Sequence, residues 1–223
     1  MSRALVLQHG DWGPPGLLGE WAQARGIDYD VHRVDLDPDT IPALDGHSFV
    51  AVLGSDHNPN DRDVPSVAAE LEYVDEAVRR EVPVLGLCYG GQLLAATLGA
   101  VIERAPEPEL GWVRIETGDP DLVPPGPWLQ WHYDRFTLPP GARELARSPR
   151  ALQAFTHGPH LGVQFHPEST MDIVKGWARL DVDRVPGGEA LVDAGARHAQ
   201  AARRQAFQLF DGFWQRVKER ETP

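Results

Sequence analysis

The stretch VPVLGLCYGGQ, residues 82–92, joins an apolar run to a cysteine between glycines and then to a helical pattern. The apolar residues predict a buried strand that leads directly into Cys88, and residues 92–98 predict a helix. A strand, a sharp turn and a helix in this order form a nucleophile elbow, which exposes a reactive side chain on a strained turn. The glycines permit the turn, and the N-terminus of the helix favours a thiolate. The stretch therefore predicts a strand–turn–helix unit that carries a nucleophilic cysteine.

A second apolar run, residues 161–165, ends in His166-Pro167-Glu168. Residues two apart in extended backbone point the same way, so the carboxylate of Glu168 can reach the imidazole of His166. Such a carboxylate fixes the tautomer of the base and stabilises its protonated form. Sites in open α/β sheets lie at the carboxyl ends of strands, where both motifs fall. We therefore predict that Cys88 is the nucleophile, His166 the base and Glu168 the orienting acid.

Strands and helices alternate along the first half of the chain. Strands are predicted at residues 4–8, 29–34, 48–53 and 82–87, and helices at 17–24, 67–80 and 92–98. Shorter strands follow at 101–104, 113–116, 152–155 and 161–165, and a last helix at about 188–220. This order predicts an α/β fold, with an open, mostly parallel sheet, helices on both faces and an antiparallel extension built from the later strands. We see no repeat, linker or low-complexity tract and predict one domain over residues 1–223.

The composition restricts the class of protein. Of 223 residues, 42% are hydrophobic and 24% are charged, which is typical of a globular fold. The formal net charge of −12 disfavours nucleic acid as a partner. The apolar run at residues 4–7 is too short for a signal peptide or a membrane span, and a single cysteine forms no internal disulfide. We therefore predict a cytoplasmic protein without a membrane partner.

The motifs at residues 86–92 and 162–168 resemble those of the class I, triad-type glutamine amidotransferase domain, and above all its free-standing GMP-synthetase-like members. Residues 111–115 and 131–134 also resemble family segments, so the resemblance runs from the first strand to about Trp177. It implies a flavodoxin-like core and a Cys-His-Glu triad that hydrolyses the γ-amide of glutamine through a γ-glutamyl thioester. It implies neither a metal nor an organic cofactor.

The resemblance also implies roles for residues around the triad. The backbone N–H groups of Gly54 and Tyr89 would form the oxyanion hole. Gln92 would contact the glutamyl group, and the segment Trp131-His132-Tyr133 would bind the α-amino and carboxylate ends of the substrate, largely through its backbone. The released ammonia would pass to a separate synthetase, since no synthetase domain follows the final helix. The alternatives are a free-standing γ-glutamyl hydrolase or peptidase and a non-catalytic binding module, against which the three triad residues argue.

Several residues have plainer interpretations. Glu168 can also cap the helix expected after Pro167. The segment His157-Gly158-Pro159-His160 predicts a hairpin turn rather than a metal pair, because no third ligand follows at a recognisable spacing. The loop at residues 8–16 either rims the site or is only a turn into the first helix. The seven tryptophans are predicted to pack in the core rather than to form a ligand cage.

Overall fold

The computed structural model describes residues 2–180 and 188–221. The strands are β1 Arg3–Gln8, β2 Asp28–Arg33, β3 Phe49–Val52, β4 Val84–Leu87, β5 Ile102–Val113, β6 Glu116–Thr117, β7 Trp128–Phe136, β8 Arg143–Arg147, β9 Leu152–His157 and β10 His160–Val163. The helices are α1 Gly16–Arg25, α2 Pro65–Arg79, α3 Tyr89–Thr97, α4 Met171–Leu180 and α5 Gly188–Glu221, with a short 3₁₀ helix at Pro38–Thr40. Among the described helices, none is long and apolar enough to cross a membrane.

Eight strands form one sheet in the order β2-β1-β3-β4-β10-β9-β8-β6. The first five are parallel neighbours, and β9, β8 and β6 extend the sheet in antiparallel pairs. Alternate residues of a strand point to opposite faces of the sheet. In β1, Val6 therefore packs in the core beneath α1 and α5, and Leu7 packs in the core beneath α2 and α3. Burying one such side chain contributes about 1.5–3 kcal/mol. The predicted fold class, a mostly parallel sheet between helices with an antiparallel extension, is confirmed.

The prediction was only partly right between residues 101 and 136, where the strand predicted at 101–104 forms the start of β5. The predicted strand at 113–116 does not exist, since β5 ends at Val113 and β6 begins at Glu116 in a different sheet. Instead, β5 pairs with the unpredicted β7 in a separate antiparallel ribbon, whose register shifts between Arg104 and Glu109. Prolines and charged residues interrupt β5, so it lacks the apolar pattern of a strand. β8 was also not predicted as an element, whereas α4 is the helix expected after Pro167.

The parallel strands β3, β4 and β10 position the site. In their register, Val52 lies opposite Gly86, and Leu87 lies opposite Val163. The loops that follow the three strands therefore emerge side by side at one edge of the sheet. The predicted hairpin turn before β10 is confirmed, because His157 pairs with His160 across the turn. The Nδ1 atom of His160 accepts a hydrogen bond from the N–H of Val84 at 3.2 Å, which ties the hairpin to β4.

Candidate active site

Cys88 occupies a strained turn between β4 and α3. Its φ of +52° is in a region that residues with a Cβ rarely adopt, at a cost of about 1–3 kcal/mol. Helix α3 begins at the next residue and lies directly on the sheet. A Cβ on Gly90 would come within 2.0 Å of the Val52 carbonyl oxygen, and one on Gly91 within 2.3 Å of the Val163 oxygen. These glycines allow the backbone contact that holds the cysteine at the N-terminus of the helix.

His166 and Glu168 form a buried pair beside this turn. The Nδ1 atom of His166 lies 2.7 Å from Oε1 of Glu168, and both side chains are only 4% exposed. Burial lowers the pKa of His166, but the charges of Cys88 and Glu168 and hydrogen bonds to both raise it more, to about 10. The site therefore favours the imidazolium at neutral pH. With Nδ1 engaged by Glu168, Nε2 is the atom of the ring that serves Cys88.

Besides His166, two further polar groups lie near the sulfur of Cys88. Its Sγ atom lies 4.0 Å from the carbonyl oxygen of Trp131 and 3.8 Å from Nε2 of Gln164. The amide of Gln164 is oriented by Gln92, whose Nε2 donates to its oxygen at 3.4 Å. An N–H group that donates to sulfur stabilises a negative charge there. Gln164 lies within the histidine motif but was not predicted as a site residue, although a polar residue in a buried strand is a usable signal.

Two cavities meet at Cys88. One, of about 450 Å³, is walled by the indoles of Trp12, Trp131 and Trp177, and we call it the aromatic cavity. The other, of about 410 Å³, we call the polar cavity, and its lining includes Gln92, Arg104, His132, Tyr133 and Asp134. Cys88, Ser55, Asp56 and Trp131 line both.

The predicted substrate-binding residues gather at the polar cavity. Gln92 donates from Nε2 to the carbonyl oxygen of Asp134 at 3.1 Å, which ties α3 to β7. The ring of Tyr133 lies beneath the guanidinium of Arg104, 4.9 Å from its centroid. His132 is buried and engaged elsewhere, since its Nδ1 lies 3.0 Å from the oxygen of Asp134. The binding role of this segment stays a prediction.

Three of the seven tryptophans, Trp12, Trp131 and Trp177, line the aromatic cavity, while others pack in the core. Trp128 is buried in the core and stacks on Phe165. Trp177 instead lies edge-on to the ring of His166, with 4.6 Å between centroids, and lines the aromatic cavity. Its Nε1 donates to the backbone oxygen of Trp12 at 2.7 Å. That bond joins α4 to the loop after β1, which settles that this loop rims the site.

Gly54 and Tyr89, the predicted oxyanion-hole donors, share a buried anchor. The carbonyl oxygen of Gly54 accepts from Nδ1 of His9 at 2.9 Å, and Nε2 of His9 lies 2.8 Å from Oε1 of Glu70. The hydroxyl of Tyr89 donates to the other oxygen of Glu70 at 3.0 Å. Both ring nitrogens of His9 lie within hydrogen-bond distance of oxygen atoms, an arrangement that favours the protonated ring. Burial lowers the pKa of His9, but the charge of Glu70 and the hydrogen bond to it raise this pKa by more. The pKa of His9 therefore lies above the usual value of a histidine.

Comparison with known proteins assigns the chain to a family. The family model named Glutamine amidotransferase class-I matches residues 19–175. The chain belongs to the class-I glutamine amidotransferase family. The matched residues contain the elbow, the loop at Gly54 and the His166–Glu168 pair.

The chain has curated relatives and solved neighbours. One relative is a subunit of the glutamine-hydrolysing GMP synthase of Saccharolobus solfataricus, 44% identical over 97 residues, which are 40% of this chain and 52% of the relative. The chain thus spans about half of that relative. The subunit of the same name from Ignicoccus hospitalis is 31% identical over 156 residues, covering 65% of this chain and 80% of the relative. A glutamine amidotransferase from Methylobacillus flagellatus has the same fold, with a TM-score of 0.87, 27% identity and coverage of 97% and 95% of the two chains.

Sequence reasoning missed two buried acids of the chain. Glu70 lies on the buried stripe of α2 one turn before Val74, and a charged residue at that spacing was the available signal. Glu109 lies on β5, where Oε2 is 3.2 Å from Nε2 of His132 and 2.7 Å from Nε2 of Gln153. Burial raises the pKa of Glu109, but hydrogen bonds from His132 and Ser148 lower it below its usual value. Because its partners are distant in sequence, no local pattern indicated this second acid.

Proposed function

We propose that the protein hydrolyses the γ-amide of glutamine with Cys88 as the nucleophile and that a separate synthetase uses the ammonia. One observation carries the proposal: the cysteine on its strained turn adjoins a histidine whose other nitrogen is fixed by Glu168 at 2.7 Å. A nucleophile, a base and an orienting acid in this order are the minimal set for acyl transfer through a covalent intermediate.

The first half-reaction forms a thioester. The thiolate of Cys88 attacks the carbonyl carbon of the γ-amide, and the carbonyl electrons move to oxygen. The N–H groups of Gly54 and Tyr89 donate to this oxyanion, and one such donor contributes about a hundredfold or more in rate. The C–N bond then breaks, Nε2 of His166 gives its proton to the leaving nitrogen, and ammonia departs. The product on the enzyme is a γ-glutamyl thioester of Cys88.

The second half-reaction restores the enzyme. Nε2 of His166, now neutral, takes a proton from water as the water oxygen bonds to the carbonyl carbon of the thioester. The C–S bond breaks and releases glutamate and the thiolate. Glu168 holds the imidazole in one orientation through both steps. Glutamine and water supply every atom of the products, so the two steps balance.

The synthetase partner is proposed by analogy with the relatives. The relatives from Saccharolobus solfataricus and Ignicoccus hospitalis are named as subunits of a GMP synthase, which suggests that this chain also works beside a second polypeptide. The proposed location is the cytoplasm. The chain has a single cysteine with a proposed nucleophilic role, and a reducing compartment keeps such a thiol free.

Glutamate release from L-glutamine by the purified chain tests the proposal. We expect release by the native chain and none by Cys88→Ala, with the same thermal unfolding midpoint for both. Hydroxylamine should divert the thioester to γ-glutamyl hydroxamate in the native chain alone. Undiminished activity in Cys88→Ala would refute the mechanism. Cleavage of γ-glutamyl peptides but not of glutamine, by the same cysteine, would instead favour the free-standing γ-glutamyl hydrolase.

A further inference from the structure

We propose that the aromatic cavity receives the leaving group of the substrate, and that its chemistry fits a γ-glutamyl amide of an aromatic amine without a carboxylate. The inference rests on the proposed function, since it assumes a γ-glutamyl thioester at Cys88. It goes beyond that function because it assigns the second cavity and predicts, for the same cysteine, a second substrate that is larger than glutamine.

The position of His166 decides which cavity holds which part of the substrate. A general acid must reach the nitrogen that departs, so the leaving group lies on the side of the imidazole. His166 and Glu168 line the aromatic cavity, whereas the described lining of the polar cavity includes neither. The γ-glutamyl part therefore extends into the polar cavity, and the leaving amine enters the aromatic cavity.

The size of the aromatic cavity exceeds what ammonia requires. Its volume of about 450 Å³ is in the range of sites for small organic ligands, whereas a water-sized molecule occupies roughly 30 Å³. Trp131 and Trp177 meet edge to face, 5.6 Å between centroids, and Trp12 adjoins Trp177. Indole walls of this kind favour an aromatic ring.

The charges around the aromatic cavity restrict the leaving group further. Its lining carries two carboxyl side chains, Asp56 and Glu168, against the single imidazolium of His166, and no lysine or arginine of the described residues lines it. An amino acid as leaving group would bring its own carboxylate beside these acids. A neutral or cationic aromatic amine avoids that repulsion.

The chemical step is that of the proposed function with another amine. The C–N bond breaks as the thioester forms, and Nε2 of His166 supplies the proton that the departing nitrogen takes. The amine leaves as RNH₂ through the aromatic cavity. Water then releases glutamate, so the products are one amine and one glutamate for each substrate.

Three substrates separate the elements of the proposal: L-glutamine, γ-L-glutamyl-phenethylamide and γ-L-glutamyl-L-phenylalanine. The last two differ only in the carboxylate of the leaving group. We expect kcat/KM for glutamate release to be at least tenfold higher for the phenethylamide than for either of the others. Binding to Cys88→Ala, measured by calorimetry, should show the same order of Kd without requiring turnover.

Two tryptophan variants test the location. Trp12→Ala keeps the backbone oxygen that Trp177 binds and removes one wall, so the ratio of kcat/KM for phenethylamide to that for glutamine should fall about tenfold. Trp112→Ala is the matched control, because Trp112 packs in the same cluster but does not line the cavity. We expect an unchanged ratio in this control.

The outcomes distinguish the two proposals. Glutamine hydrolysis that requires Cys88, with no preference for the phenethylamide in rate or binding, overturns this inference and leaves the proposed function standing. Equal rates with γ-L-glutamyl-L-phenylalanine overturn the exclusion of the carboxylate. Release of glutamate from none of the three substrates overturns both proposals.

Discussion

The two sides of the active site are held in different ways. On the elbow side, α3 rests on β3 and β10 through glycines, and a Cβ on Gly90 would approach the Val52 oxygen to 2.0 Å. On the ribbon side, β7 accepts one backbone hydrogen bond beside the site, from the N–H of His166 to the oxygen of Leu129 at 2.9 Å. The ribbon is held mainly by side chains, with Glu109 paired with His132 and hydrogen-bonded to Gln153. Backbone contact tolerates almost no substitution, whereas a polar network loses one bond at a time. A single substitution on the elbow side should therefore cost much activity or stability, whereas one on the ribbon side should cost little.

The largest effect is expected from Glu168→Gln on the elbow side. The amide cannot stabilise the imidazolium of His166, and we expect kcat to fall roughly a thousandfold or more. The pKa of His166 is raised in part by this carboxylate, so its removal lowers that pKa. The alkaline fall of kcat/KM, where His166 loses its proton, should move to lower pH in the variant. A profile of kcat/KM against pH measures the shift, and an unchanged alkaline limb would contradict the orienting role.

The next effect concerns the backbone contact at the elbow. Gly90→Ala places a methyl group against the Val52 carbonyl, and we expect a loss of about 3 kcal/mol in the free energy of unfolding. Gly176→Ala in α4 is the matched control, because its Cβ would meet nothing within 4 Å. That variant should gain up to about 1 kcal/mol, since glycine disfavours a helix. Urea denaturation of both variants checks this, and equal stabilities would show that the elbow is not tightly packed.

The difference between the two sides also explains how far the sequence could predict the structure. The elbow and the His166–Glu168 pair are local patterns, because in each a strand and its reactive side chains lie within a few residues of one another. The ribbon has no such pattern, because β5 carries prolines and charges and gains its order from β7, a strand far along the chain. Glu109 was missed for the same reason, since Ser148 and Gln153 are distant in sequence. The tryptophan walls likewise arise from Trp12, Trp131 and Trp177, which only the fold brings together.

The smallest effect is expected on the ribbon side, from Glu109→Gln. The variant loses a charged acceptor for His132, Ser148 and Gln153, which should cost about 2 kcal/mol of stability and raise KM severalfold while kcat changes less than about twofold. Glu103→Gln on the same strand is the control, because Glu103 forms an exposed pair with Arg135 and should cost under about 1 kcal/mol.

The pH dependence of this loss has a definite sign. The folded-state pKa of Glu109 is lowered from 4.5, so its stabilising effect is complete above that value and disappears as the pH falls through the folded pKa. The difference in unfolding free energy between the native chain and Glu109→Gln should therefore be largest at neutral pH and shrink below pH 4.5. Urea denaturation at a series of pH values measures it. A difference in unfolding free energy that stays constant at acidic pH would show that the side chain of Glu109 stabilises the fold by packing rather than by its charge. The ribbon would then be held by packing, as the elbow is.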